Sequence, residues 1–215
     1  MDVNELADLP FAAMLTGHSG GLASGADYDV EHFDRLSFDE PHAASSRFLE
    51  CAFTGVTFQG GRLAKASFRE TWLRDVRLVA TALGESRWED VTIAESVLAG
   101  AELYGAQLRQ VTLRGCKLDS VNFRGAQLTE VTFDGCELRD VDFAGATLTR
   151  AAFPGSRLTR TDFTNVRLEA TDLRGAELGL IVGPDSLRGA IVSTAQLVYL
   201  APVLAQTMGI TVSDD

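Results

Sequence analysis

The residue types that most often carry chemistry are few in this chain and poorly spaced for it. His18, His32 and His42 are its three histidines, and all lie in the first 42 of 215 residues. Cys51, Cys116 and Cys136 are its three cysteines, and no C-x-x-C pair or zinc-finger spacing joins them. Carboxylates are plentiful, but the sequence contains no G-x-S-x-G, no phosphate-binding glycine loop, no dinucleotide fingerprint and no H-E-x-x-H beside them. We therefore assign no catalytic, cofactor-binding or metal-ligating residue. The expected activity is binding, not catalysis.

The element that positions the side chains is a repeat of five. In Val121–Gly145 the large apolar residues are Phe123, Leu128, Phe133, Leu138 and Phe143, each two residues after a small one: Val121, Ala126, Val131, Cys136 and Val141. The same phase continues through Leu148, Phe153, Leu158 and Phe163 to Leu178, and backward to Phe33, with Ala43 its one weak centre. A period of five fits neither a helix nor a plain strand. A chain that buries every fifth residue must turn between them, and one such unit cannot bury its own apolar group. The units must stack.

The blocks VDFAG (141–145), TDFTN (161–165) and TDLRG (171–175) resemble the pentapeptide-repeat family, and the likeness extends over about 150 residues. The resemblance implies an all-β fold: a right-handed, four-sided β-helix with four pentapeptides per coil, here with a C-terminal helical cap. Residue n then lies over residue n+20. At the usual inter-strand spacing of about 4.8 Å the rod would be about 35 Å tall. Phe123, Phe143 and Phe163 should stack on one side, Phe133 and Phe153 on the opposite side, and leucines between.

Further expectations follow from this register. Cys116 and Cys136 become vertical neighbours whose parallel side chains suit free buried thiols better than a disulfide. His32 and His42 fall on opposite sides of a coil, so no metal site forms. Glycine recurs every ten residues at 115, 125, 135, 145 and 155, which places left-handed turns at two opposite corners. Trp72, Val79, Val97 and Tyr104 point outward, and Trp72 is the candidate partner contact.

Three segments result: an N-terminal capping or extended segment (1–30), the β-helix (31–192) and a C-terminal helical cap (193–215). Leu9, Phe11, Met14 and Leu15 are apolar enough to cover the first coil. Ser193 and Gln196 form a capping-box pattern, Leu197, Leu200, Leu204 and Met208 recur at helical spacing, and Gly209 stops the run. Pro202 should kink or split this helix. By the resemblance, the helix both caps the rod and joins a homodimer, with Ile210–Val212 as a final strand.

The formal charge of −11 is unevenly distributed. Residues 1–50 hold ten acidic and two basic side chains, whereas residues 51–180 hold seventeen and sixteen. Arg157, Arg160 and Arg167 should make one lower corner basic. No apolar run is long enough to span a membrane, and MDVNELADLP lacks the basic start of a signal peptide, so a cytoplasmic location is expected. Acidity argues against direct nucleic-acid binding. The resemblance implies a protein partner. One reading is DNA gyrase, bound by DNA mimicry and protected from antibiotics; the other is a general interaction scaffold with a non-gyrase partner.

Overall fold

A computed structural model describes residues 5–182 and 185–213. The chain winds as a solenoid of about eight turns whose parallel strands keep the expected register. Arg77 pairs with Val97 and Leu98 with Leu118, each partner twenty residues on. The four sides are conveniently named by their centres Leu128, Phe133, Leu138 and Phe143. Thirteen strands on the Leu128 and Phe133 sides form one sheet, joined where Arg87–Ala94 and Gln107–Arg114 run around a corner. Eight strands, from Ser37–Asp39 to Glu177–Ile181, form the sheet of the Leu138 side. The Phe143 side is made of turns linked by single bridges such as Glu102 to Asn122.

The core is a set of vertical stacks. Phe123, Leu128, Phe133, Leu138, Phe143, Leu148, Phe153, Leu158 and Phe163 are all buried. Phe123 stacks on Phe143 at 5.1 Å and Phe133 on Phe153 at 4.8 Å, both with rings 4° from parallel. Upstream, Phe48, Phe68 and Trp88 continue the Leu128 side in the same way. Each such side chain contributes about 1.5–3 kcal/mol by leaving water.

The corners differ from expectation. Left-handed backbone occurs at all four corners, not two, and recurs every fifth residue from Gly25 to Gly175. Twenty of these positions are not glycine, among them Glu50, Glu70, Asp140 and Ala170. The stack compensates at most of them: the turn's N–H bonds to a carbonyl of the next coil, as Glu130 N does to Thr149 O at 2.9 Å.

The stack also starts before residue 31. Thr16–Gly17 pairs with Glu31–His32, Ala23 bridges His42, and Asp27–Asp29 pairs with Arg47–Leu49. The offset is fifteen at the first pair and twenty at the last, so the chain cuts across the top between them. This first coil covers three sides. His18 closes the core above Phe33, with its ring 4.3 Å from the phenyl ring and its Nδ1 2.5 Å from Glu31 Oε2. Residues Leu6–Asp8 and Ala12–Met14 form short 3-10 turns that lie on the outside of the rod, not over the first coil.

At the other end, Ala190–Ile191 pairs with Thr171–Asp172 one residue short of the full register. Helix α1 (Thr194–Thr207) follows, started by the Ser193–Gln196 capping box, and Gly209 after it is left-handed at φ +72°. Pro202 lies inside the helix without splitting it. Residues 210–212 form no strand, and Gly183 and Pro184 lie outside the described residues. No helix among the described residues is long and apolar enough to cross a membrane.

Three substitutions separate backbone strain from crowding. Gly125 is left-handed and an added Cβ would meet nothing within 4 Å, so Gly125→Ala should cost about 1 kcal/mol. At Gly61 the Cβ would lie 2.3 Å from Pro41 Cδ, and Gly61→Ala should cost about 1–3 kcal/mol more. Ala170→Gly should instead stabilise the rod by up to about 1 kcal/mol. Urea unfolding of the three variants measures all of these; a destabilising Ala170→Gly would remove the strain argument.

Candidate functional site

With a filled interior, the chemistry of this molecule belongs to its outer faces and ends. Vertical ion pairs dominate the exterior. Arg47 reaches Asp27 at 2.5 Å, Arg150 reaches Glu130 at 2.9 Å and Arg157 reaches Glu177 at 2.7 Å, each exactly one coil apart in register. Arg139 pairs with Asp119, and Arg160 with Asp140. The guanidiniums of Arg139 and Arg160 hold the Asp119 and Asp140 carboxyls below the usual carboxylate range through these hydrogen bonds. The lower arginines thus do not make a basic corner. Arg157 and Arg160 are both paired, and Arg167 sits on a strand of the other sheet.

One corner keeps an acidic column. Glu50, Glu70, Asp90, Gln110 and Glu130 occupy successive left-handed positions between the Leu128 and Phe133 sides, followed by Arg150, the partner of Glu130. Asp75 and Glu95 stand on the next corner. Arg69 and Arg74 approach this region and pair with Glu70 and Glu95.

Trp72 is not the exposed contact that its register suggests. Its side chain does leave the rod, but Leu9 and Phe11 cover it and reduce its exposure to 2%. Burial of Leu9 and Phe11 contributes about 1.5–3 kcal/mol each. Opposing this, Trp72 Nε1 has no hydrogen-bond partner, which costs about 1–3 kcal/mol. The balance favours a docked segment. Val79 and Val97 are half-buried, and Tyr104 is exposed, with its ring lying where a Cβ on Gly84 would be.

The helical residues divide between two roles. Leu200 is buried in the core and Leu204 packs against it, while Gln196 Nε2 donates to the carbonyls of Leu173 and Ala176 at 2.6 and 2.8 Å. Leu197 and Met208 instead face solvent. Val198 and Tyr199, at 70% and 68% exposure, and Val203 join them. Sequence periodicity missed these three because it sought one apolar stripe; for Val198 and Tyr199 the unbroken apolar run Leu197–Leu200 was the available signal.

The polar residues singled out earlier do not converge. His32 Nε2 lies 3.0 Å from Thr54 Oγ1, whereas the imidazole of His18 is taken by Glu31. Among the described residues, no group of three or more His, Cys, Asp or Glu is placed to hold a metal ion. All three cysteines are free and buried. Burial pushes the Cys51 thiol up to about 12. Cys136 is pushed up first by its hydrogen bond with Cys116 and then by burial.

Residues 86–163 match a family model described as a pentapeptide repeat region. No curated protein matches the chain. Among solved structures it is similar to trypsin-treated QnrB1, a plasmid-mediated fluoroquinolone resistance protein, with 19% identity over 90% of this chain and 100% of that one and a TM-score of 0.42. It is also similar to a pentapeptide repeat protein from the Arabidopsis thaliana thylakoid lumen, with 18% identity, 57% and 83% coverage and a TM-score of 0.41. A third is HetL, a pentapeptide repeat protein involved in heterocyst differentiation regulation from the cyanobacterium Nostoc, with 21% identity, 79% and 90% coverage and a TM-score of 0.25.

The cover on Trp72 can be tested by fluorescence. In a Trp88→Phe background Trp72 is the sole tryptophan. Phe11→Ala should then shift its emission to the red and raise acrylamide quenching, with little change in the melting of the rod. Unchanged emission would show that Phe11 does not hold the cover.

Proposed function

The chain is built of pentapeptide repeats, and we infer that it is a non-catalytic binding protein, dimeric through α1, whose outer faces engage a protein partner. The exposed apolar surface of α1 carries this reading. Leu197, Val198, Tyr199 and Met208 stand in solvent, and Ile210 and Val212 beyond the helix are exposed as well. Apolar surface grouped in this way marks an interaction site, and a two-fold contact with a second copy is the commonest way to cover it. The solid core supports binding in place of catalysis, since it leaves open grooves outside instead of an enclosed cleft. One of these, about 420 Å³ on the Leu138 side, lies between Lys117, Glu137 and Arg157.

The acidic corner favours DNA gyrase as the partner. Carboxylates repeated at about the inter-strand spacing of 4.8 Å offer a basic DNA-binding surface a substitute for a line of phosphates. On this reading the protein acts in the cytoplasm and shields gyrase from antibiotics. The ion pairs elsewhere on the rod favour the alternative, an interaction scaffold with a non-gyrase partner, because they leave most of the exterior close to neutral.

Two measurements test the two parts. Sedimentation equilibrium should show a dimer, and Val198→Asp with Tyr199→Asp should dissociate it without unfolding the rod; a wild-type monomer would overturn the dimer. In a supercoiling assay, micromolar protein should alter gyrase activity or its inhibition by a quinolone. Replacing Glu50, Glu70, Asp90 and Glu130 by their amides should weaken that effect. No effect with or without quinolone would leave the scaffold reading.

A further inference from the structure

The shortcut in the first coil leaves one strand position empty. Thr16–Gly17, Ala23 and Asp27–Asp29 provide the first coil on three sides. On the Leu138 side the top strand, Ser37–Asp39, pairs below with Thr57–Gln59, and no described strand lies above it. One coil down, Thr57 N donates upward to Leu36 O at 2.9 Å. The equivalent N–H of Ser37 points into the vacant position, as do the other Ser37 and Asp39 backbone groups that alternate along a strand edge. Neither lysine nor proline guards this edge. Its inner wall is Phe38, buried and at the top of its stack above Phe58 at 5.3 Å.

We propose that this vacancy is a docking slot for an extended, basic segment of a partner protein, which adds to the Leu138-side sheet as a further strand. Backbone pairing supplies the attachment, and alternate side chains supply the selection. Phe38 is already buried, so selection rests on the outward side chains of the added strand, which project beside the exposed Asp39 and Glu40, the latter also accepting from Gly61 N at 3.0 Å. Those carboxylates, within a region of ten acidic and two basic side chains, select lysine or arginine there. The same charge disfavours a second copy, since two-fold pairing of this strand would set Asp39 and Glu40 against themselves. The chain's own N-terminal segment is held on another side by the contact of Leu9 and Phe11 with Trp72.

The test uses the full-length protein and a fluorescein-labelled peptide of alternating valine and lysine, about nine residues long. Fluorescence anisotropy at low ionic strength should show saturable binding that weakens as salt is added. Methylating alternate backbone nitrogens of the peptide, or Ser37→Pro in the protein, should each weaken binding by about tenfold, as expected for one or two lost hydrogen bonds. Absence of saturable binding overturns the proposal. So does equal binding of the methylated peptide to the wild-type protein, a result that does not depend on how Ser37→Pro folds. Equal binding of a valine–glutamate peptide would refute the charge selection. Loss of a dimer in Ser37→Pro that survives in Val198→Asp would assign the slot to a second copy instead.

Discussion

Every fifth residue of the solenoid turns left-handed, and the rest of the structure depends on making that tolerable. Most of these corners carry a Cβ, and each such residue costs about 1–2 kcal/mol. One buried phenylalanine or leucine per block contributes about 1.5–3 kcal/mol in return. The corner N–H groups find carbonyls on the next coil. Neither compensation exists for a single pentapeptide. A coil is therefore held by its neighbours, and stability is shared along the rod instead of residing in any one block.

The same dependence makes the two ends different from the middle. A middle coil has a coil above and below, so its edges and core are satisfied. At the N-terminal end the chain saves a side by cutting across, and His18 closes the core above Phe33 while the Ser37–Asp39 edge stays open. At the C-terminal end Leu200 and Gln196 close the core and its carbonyls, and the remaining surface of α1 carries the apolar residues. Along the middle, arginines and carboxylates one coil apart neutralise one another, while Glu50, Glu70 and Asp90 follow one another at a single corner. Recognition is thus concentrated at the ends and at one corner.

Much of this is legible in the sequence, because a repeat fixes long-range neighbours by arithmetic. The period of five supplied the buried centres; the resemblance to pentapeptide repeats implied the twenty-residue register, with which the alternation of phenylalanine and leucine agrees. What the repeat could not supply lies where other segments intervene. Trp72 points outward as the register requires, yet a segment that follows no period covers it. Glycine spacing suggested two left-handed corners because glycine marks where such a turn is easiest; Glu130 and Asp140 adopt it as well, held by the ladder. Helical spacing identified α1, but not which of its apolar residues meet the rod, since Leu197 and Leu200 belong to the same pattern and different surroundings.

The central claim is that a register of twenty residues holds the rod together, and coil excision tests it most directly. Removing residues 101–120 joins Gly100 to Val121, which takes the place of Ala101 in the register. The account predicts a cooperatively unfolding rod, less stable and shorter by about 4.8 Å. Removing residues 101–117 joins Gly100 to Leu118 and shifts every following centre out of phase. That variant should not fold into a rod. Equal folding of the two, followed by far-ultraviolet circular dichroism and urea unfolding, would contradict the account.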